Sequence, residues 1–441
     1  MNFTKLSLLL VFIPMFAHGG NDDCMSRKSV PDKVLDLSMV VELGLCRNPE
    51  TMSAYYAMES ARYNKNAGYA SYLPAVNGSA DIAKNYQNHD WQDWQYGASI
   101  SASYLIFDFG KRLADLNQLS STWRAMGFDY DDRVQNYVYG VIGAYYALLN
   151  ADADVESARS LRAVAQVALD TANKKYKAGV VARADVLKAE TAMASRNLDL
   201  ERAKNNRAVA KGVLLTKLSF PADGEITIAD MSGDFGHVRE NRGIDELIAI
   251  AREKRPDLLR AAANKDAAWH RRNSMFLKNL PSISATGTLS WRDNNRDYIY
   301  DDNAHTGGSI GIRATMPIFA GFANMYGVKS ATASYDAATE NLRTTKDNAT
   351  LDVFTAYQNY KTAQTVLSQT ETLLKSATES ERVTAGMYRV GRATMLDWQT
   401  AQSELVSAQK QNNAAKYDLF VKRAAVALAI GDIKSEIEKE Q

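Results

Sequence analysis

Two aspartates are the residues of this chain best placed to do chemistry. Asp185 and Asp397 each lie six residues past a glycine, Gly179 and Gly391, and stand 212 residues apart. In the first turns of a helix, a carboxylate complements the helix dipole by a few tenths to about 1 kcal/mol. Thr394 with Asp397 also has the spacing of a capping box. A second reading comes from symmetry: in a threefold assembly, an aspartate facing the axis becomes a ring of three, which attracts cations and selects by charge. Other candidate chemistry is thin. Gly307-Gly308-Ser309-Ile310-Gly311 fits G-x-S-x-G, but that motif needs a strand, a sharp turn and then a helix, and Ser309 opens an alternating strand. The five histidines, His18, His89, His237, His270 and His305, show no metal-ligand spacing. With no glycine loop to cradle phosphate, neither catalysis nor a cofactor or metal is expected.

The two cysteines, Cys24 and Cys46, are 22 residues apart. In an oxidising compartment such a pair suggests a disulfide, worth roughly 3 kcal/mol by loop closure; two free thiols are the other reading. Asp23 precedes Cys24, where a lipidation signal wants a small residue. Lys5, the apolar run Leu6 to Ala17 and Ala17-His18-Gly19 read as a signal peptide. That apolar run is too short to span a bilayer as a helix. Net charge is +1, with no basic stripe for nucleic acid. Lys174, Lys175 and Lys177 read as a solvated helix face.

The elements that must position the aspartates are written twice. Asn48-Pro49-Glu50 recurs as Arg255-Pro256-Asp257 and Tyr72-Leu73-Pro74 as Asn279-Leu280-Pro281, both shifted by 207 residues. Ile106-Phe107 recurs as Ile318-Phe319, and Tyr176-Lys177-Ala178-Gly179 as Tyr388-Arg389-Val390-Gly391, shifted by 212. A fixed long period with one insertion means two copies of one structural unit. No proline occurs from 75 to 220 or after 317, which leaves both stretches free to be long helices. Val134, Val141, Leu148 and Val155 are spaced by seven, as are Val353, Tyr360, Leu367 and Leu374, the period of helices packed as coiled coils. Ahead of each helix, alternation predicts strands: Tyr96, Ala98, Ile100, Ala102, Tyr104 and Ile106 in one copy, Ile310, Ile312, Ala314 and Met316 in the other. Their length suits a tilted bilayer crossing. Lipid tolerates no open sheet edge, and bacterial barrels have at least eight strands, so four strands per chain require an oligomer.

The expected organisation is a signal peptide over 1–19 and a first repeat over 20–219, with a hairpin at about 74–107, a long helix at about 111–176 and a return helix at about 181–219. A connecting segment covers 220–243. The second repeat, 244–431, has a hairpin at about 281–319, a long helix at about 323–388 and a return helix at about 394–431. The tail is 432–441.

This arrangement resembles the TolC family of outer-membrane factors over nearly the whole chain after the signal peptide. The resemblance rests on Leu37 to Pro49, Tyr72-Leu73-Pro74, Leu105 to Gly110, Tyr176 to Gly179 through Asp185-Val186-Leu187, Pro317-Ile318-Phe319-x-Gly321, and Tyr388 to Gly391 through Met395-Leu396-Asp397. It implies an α+β membrane protein: a homotrimer with a twelve-stranded barrel in outer-membrane lipid and long periplasmic helices forming a tunnel. It further implies docking through a periplasmic adaptor to an inner-membrane ABC or proton-driven transporter. By the resemblance, Asp397, Asp185, Tyr388 and Arg392 belong to a periplasmic gate, although Thr400 stands where a second acid is expected and Ala393 where an arginine is. Leu45-Cys46-Arg47-Asn48-Pro49 looks like the branch serving type I protein secretion. Multidrug efflux is the alternative, and a secreted coiled-coil structural or adhesive protein is the alternative of another class.

Overall fold

The computed structural model describes residues 33–87, 89–229, 242–293 and 304–434. The expected signal peptide, Cys24 and His237 lie outside them. In chain order the elements are β1 (Val34–Leu35), α1 (Leu37–Leu45), α2 (Pro49–Gly68), β2 (Ala75–Gln87), β3 (Asp90–Phe107), α3 (Lys111–Lys177) and α4 (Arg183–Lys217). Then follow β4 (Thr227–Ile228), α5 (Ile244–Lys254), α6 (Pro256–Leu277), β5 (Ser282–Asp293), β6 (Ala304–Thr315), α7 (Ala323–Arg389) and α8 (Met395–Ala429). Helix α3 and helix α7 are both 67 residues long, and α4 and α8 are both 35. The duplication is therefore one of structure. No described helix is long and apolar enough to cross a membrane.

Two compact units cut across the repeats. One comprises Met1–Ala54, Asp131–Pro256 and Asp347–Gln441; the other comprises Tyr55–Tyr130 and Asp257–Lys346. Each takes matching pieces from both copies.

The second unit holds an antiparallel sheet in the order β2-β3-β5-β6. The central pairing, β3 with β5, joins the two hairpins, with Ser101 opposite Thr288. Among the described residues, strands β2 and β6 are left as open edges. On β6, Ile310 is 93% and Ile312 77% exposed, and Val76, Ile82 and Ile100 are also exposed. A sheet with bare apolar rows and unpaired edges is untenable in water and suited to lipid once its edges are closed. At the strand-to-helix junction, Phe109 and Gly110 adopt positive φ, as do Gly321 and Phe322 in the second copy. The first junction is knotted by Arg112. Its guanidinium donates to the carbonyls of Leu105 (2.8 Å) and Ile106 (3.3 Å) and to Asp108 (3.2 Å). Helices of this unit are tied by Arg260 to Asp129, Ser274 to Asp115, and Lys65 over the Trp123 ring at 4.2 Å.

The first unit is built on the heptad positions. Val141, Leu148, Val155, Val353, Tyr360 and Leu367 are all buried. One core joins Val40, Val141, Tyr145, Leu214, Leu218 and Phe220; another joins Leu247, Val353, Tyr360, Val426 and Ile430. Helix α1 starts at Asp36, whose side chain accepts from the Met39 amide at 2.8 Å, an N-cap. The short strand β4 pairs in parallel with β1, tying the segment after α4 back to the chain's start. Tyr137 donates to the Lys217 carbonyl at 2.8 Å, and burial raises its pKa. Cys46, at the end of α1, has Sγ 3.2 Å from the Leu43 carbonyl oxygen, and there is no free cysteine among the described residues.

Candidate gate at the paired helical turns

Both long helices stop in the same way. At the end of α3, the Val180 amide donates to the Lys175 carbonyl and the Gly179 amide to Tyr176, each at 2.9 Å. At the end of α7, the Arg392 amide donates to Met387 at 2.8 Å and the Gly391 amide to Tyr388 at 3.2 Å. This is the Schellman closure, which needs a left-handed residue after the helix. Gly179 (φ 72°) and Gly391 (φ 78°) supply it. A Cβ on either would meet no neighbour, so backbone conformation alone calls for glycine there.

The turns pack side by side through a small core of Ala168, Ala172, Val186, Ala189, Ala385, Tyr388, Met395 and Trp398. Tyr388 is its centre. Its ring lies 5.2 Å from that of Trp398, and Lys175 Nζ sits 4.3 Å from its centroid as a cation–π partner. The same ammonium donates to the Tyr388 carbonyl, where a cation also meets the negative end of helix α7. Trp398 Nε1 donates to Glu381 at 2.8 Å. Gln399 reaches the Lys188 carbonyl at 2.8 Å, binding α8 to α4.

The four expected gate residues fall into different settings. Tyr388 is buried, and among the described residues its hydroxyl has no hydrogen-bond partner. Burial first, and then the negative charge of Asp185, raise its pKa. Asp185 is half-buried. Asp397 is exposed and closes a capping box: it accepts from the Thr394 amide (2.8 Å) and hydroxyl (2.7 Å), while its own amide donates to Thr394 Oγ1 at 3.2 Å. The Thr394 side chain and then its amide hold the Asp397 carboxyl below its ordinary pKa. Arg392 is exposed. The structure thus buries Tyr388 in the core of the turns and leaves Asp397 and Arg392 at the surface. Sequence reasoning missed Lys175, which is part of this packing rather than a solvated residue of the run 174–177. It also missed Trp398, a large aromatic just past the turn and legible as an anchor. Among the described residues, no group of acids, histidines or cysteines is placed to hold a metal.

Comparison with known proteins gives this geometry its setting. The chain is 21% identical over 392 residues to the outer membrane protein TolC of Vibrio cholerae serotype O1, covering 88% of this chain and 89% of that one. It is 27% identical over 169 residues to the alkaline protease secretion protein AprF of Pseudomonas aeruginosa, covering 37% and 35%. Its fold matches the crystal structure of the outer membrane protein VceC of Vibrio cholerae with a TM-score of 0.76 at 19% identity, covering 90% of this chain and 96% of that one. The family model described as "Outer membrane efflux protein" matches residues 40–216 and 247–432. This chain belongs to that family: it is an outer-membrane efflux or secretion channel, not an enzyme.

Proposed function

We propose that the protein is a homotrimeric exit duct for a tripartite exporter, one that serves type I protein secretion. The carrying observation is the four-stranded sheet with two open edges and bare apolar rows. Three copies close it into twelve strands, and lipid covers the outward rows. The helical turns meet a periplasmic adaptor, through which an inner-membrane transporter supplies the energy. Secretion of protein is favoured by the likeness to AprF, named for alkaline protease secretion; the family description, which names efflux, supports a small-molecule duct as the second reading.

The gate belongs to the same proposal. Asp185, Asp397 and Arg392 hold the turns together across protomers, with the carboxylates accepting from neighbouring cations, and Tyr388 anchors the second turn from within its own buried core. Native mass spectrometry in detergent should give three chains, and planar bilayers should show a poorly conducting channel that opens further in Asp185→Ala and Arg392→Ala. A stable monomer or dimer overturns the duct. Unchanged conductance in both variants overturns the gate and leaves these residues as helix-end structure.

A further inference from the structure

Helix α8 buries two consecutive asparagines. Asn412 is 1% and Asn413 5% exposed, although a buried amide is costly unless it is hydrogen-bonded. Neighbouring residues of a helix point about 100° apart, so the two amides face different helices. Asn413 Nδ2 donates to Asp154 Oδ1 at 2.9 Å and to Ser157 Oγ at 3.1 Å, both on α3. Its Oδ1 accepts from Gln409 Nε2, one turn earlier on α8, at 3.2 Å. Asn412 Nδ2 makes a longer contact, 3.5 Å, to Thr370 Oγ1 of α7, a hydroxyl that itself donates to the Leu367 carbonyl at 3.0 Å. One level of α8 is thus tied by polar groups to two neighbouring helices.

On either side of that level the packing differs. Beyond it, Tyr146 stacks on Phe420 at 5.0 Å against the large core that holds Val141 and Tyr145. Between it and the small core of the turns, the buried side chains of α3, α7 and α8 are Ala165, Ala377, Ala401, Val406 and Ala408, with Gln402. Gln402 Nε2 has no hydrogen-bond partner among the described residues. Alanine faces are smooth and apolar contact is non-directional, so this stretch resists a sliding helix weakly. A buried asparagine does the opposite: it specifies register, because a slipped alignment parts it from its partner. We propose that Asn413, with Asn412 beside it, sets the axial register of α8 against α3 and α7, and with it the resting position of the turn that α8 carries. The two are positioning residues for the gate, and the inference rests on the gate reading above. From Met395 to Asn412 the helix rises about 25 Å, a lever that carries a shift of register to the turn.

The test reads the full-length protein in planar bilayers and by thermal unfolding in detergent. Asn413→Leu with Asp154→Leu replaces both partners by apolar groups, a change that can hold stability while removing the register signal. The expected result is an unchanged thermal midpoint with the open probability raised at least ~3-fold. The exchanged pair, Asn413→Asp with Asp154→Asn, rebuilds the bond in reverse and should restore wild-type gating. Val406→Ala opens a small cavity in the alanine stretch; it should lower the thermal midpoint and leave the open probability as it is. Wild-type gating in the apolar pair overturns the inference, as does an exchanged pair that gates like the apolar one. So does an open probability that follows the thermal midpoint through all three variants, which would make the layer plain packing. Asp185→Ala and Arg392→Ala read the gate separately. If they open the channel while the apolar pair does not, only the register layer fails; if none of these variants changes conductance, the gate reading fails and takes the layer's role with it.

Discussion

At the end of α3, Tyr176 is 45% exposed; 212 residues on, at the end of α7, Tyr388 is 2% exposed. Both sit three residues before a left-handed glycine in the same Schellman closure. What separates them lies outside the turn. Tyr388 has Trp398 to pack on, and the matching residue of the first copy is Val186. Tyr388 receives the ammonium of Lys175, and the position that would serve Tyr176 in return is Met387. After the turn, Thr394 caps α8 with its side chain, whereas Ala182 gives α4 no side-chain cap. The duplication has kept the backbone of both turns and divided the side-chain work. The second copy carries the aromatic core and the cap, and the first reaches across to it with a lysine. The barrel junctions diverge in the opposite sense. Arg112 and Asp108 knot the first junction, and Asn324 and Ala320 occupy the matching positions of the second.

Truncating the aromatic core should show the division most strongly. Trp398→Ala removes a buried wedge and should destabilise the turns by about 3–5 kcal/mol. Val186→Ala, its counterpart, should cost roughly 1–3 kcal/mol. Thermal unfolding by circular dichroism, with limited proteolysis within 389–394, measures both. Equal losses would mean that the two turns share the core evenly and would break the comparison.

Removing the crossing lysine comes next. Lys175→Met keeps the length of the side chain and deletes the charge over the Tyr388 ring, an interaction worth about 0.5–2 kcal/mol. The expected result is faster proteolysis of the second turn and a raised open probability in planar bilayers. Met387→Lys, the mirrored change, should do neither, because no buried tyrosine awaits it. Matching effects from both substitutions would show that any cation near the turns suffices.

These contrasts mark what the sequence could express. Prolines, the turn glycines and the seven-residue rows act within a few residues of themselves, so the long helices and their stops are visible in one dimension. Strand alternation is equally local and placed both hairpins. The burial of Tyr388 was not visible, because Tyr-x-x-Gly reads the same in both copies and the difference is made by residues brought in from elsewhere. Lys175 acts on a carbonyl 213 residues away, and its immediate neighbours, Lys174 and Lys177, gave it the look of a solvated cation. Asp397 was legible in part. Its spacing from Thr394 predicted the capping box that is present, whereas an axial role depends on symmetry that a single chain does not express.

The smallest expected effect concerns that cap, and it carries a pH signature. Thr394→Ala removes the hydroxyl that accepts from the helix and should cost about 1 kcal/mol at neutral pH. Ala182→Thr, which places Asp185 three residues past a threonine as in the second copy, should recover part of that amount by capping α4. The carboxyl of Asp397 is held below its ordinary pKa by the hydrogen bonds from Thr394, so its contribution is fully present above the unfolded value of about 4. It declines as pH falls through that value and is lost once pH passes below the depressed folded one. Wild type and Thr394→Ala should therefore differ most at pH 7 and less once the solution is acidified below the depressed pKa of Asp397, where only the bond from the Asp397 amide to Thr394 Oγ1 remains. Thermal unfolding of the two proteins across that range reads the effect. A difference that persists undiminished in acid would mean that the threonine acts through packing and not through the charged cap, and the contrast between the two turns would then rest on the aromatic core and Lys175 alone.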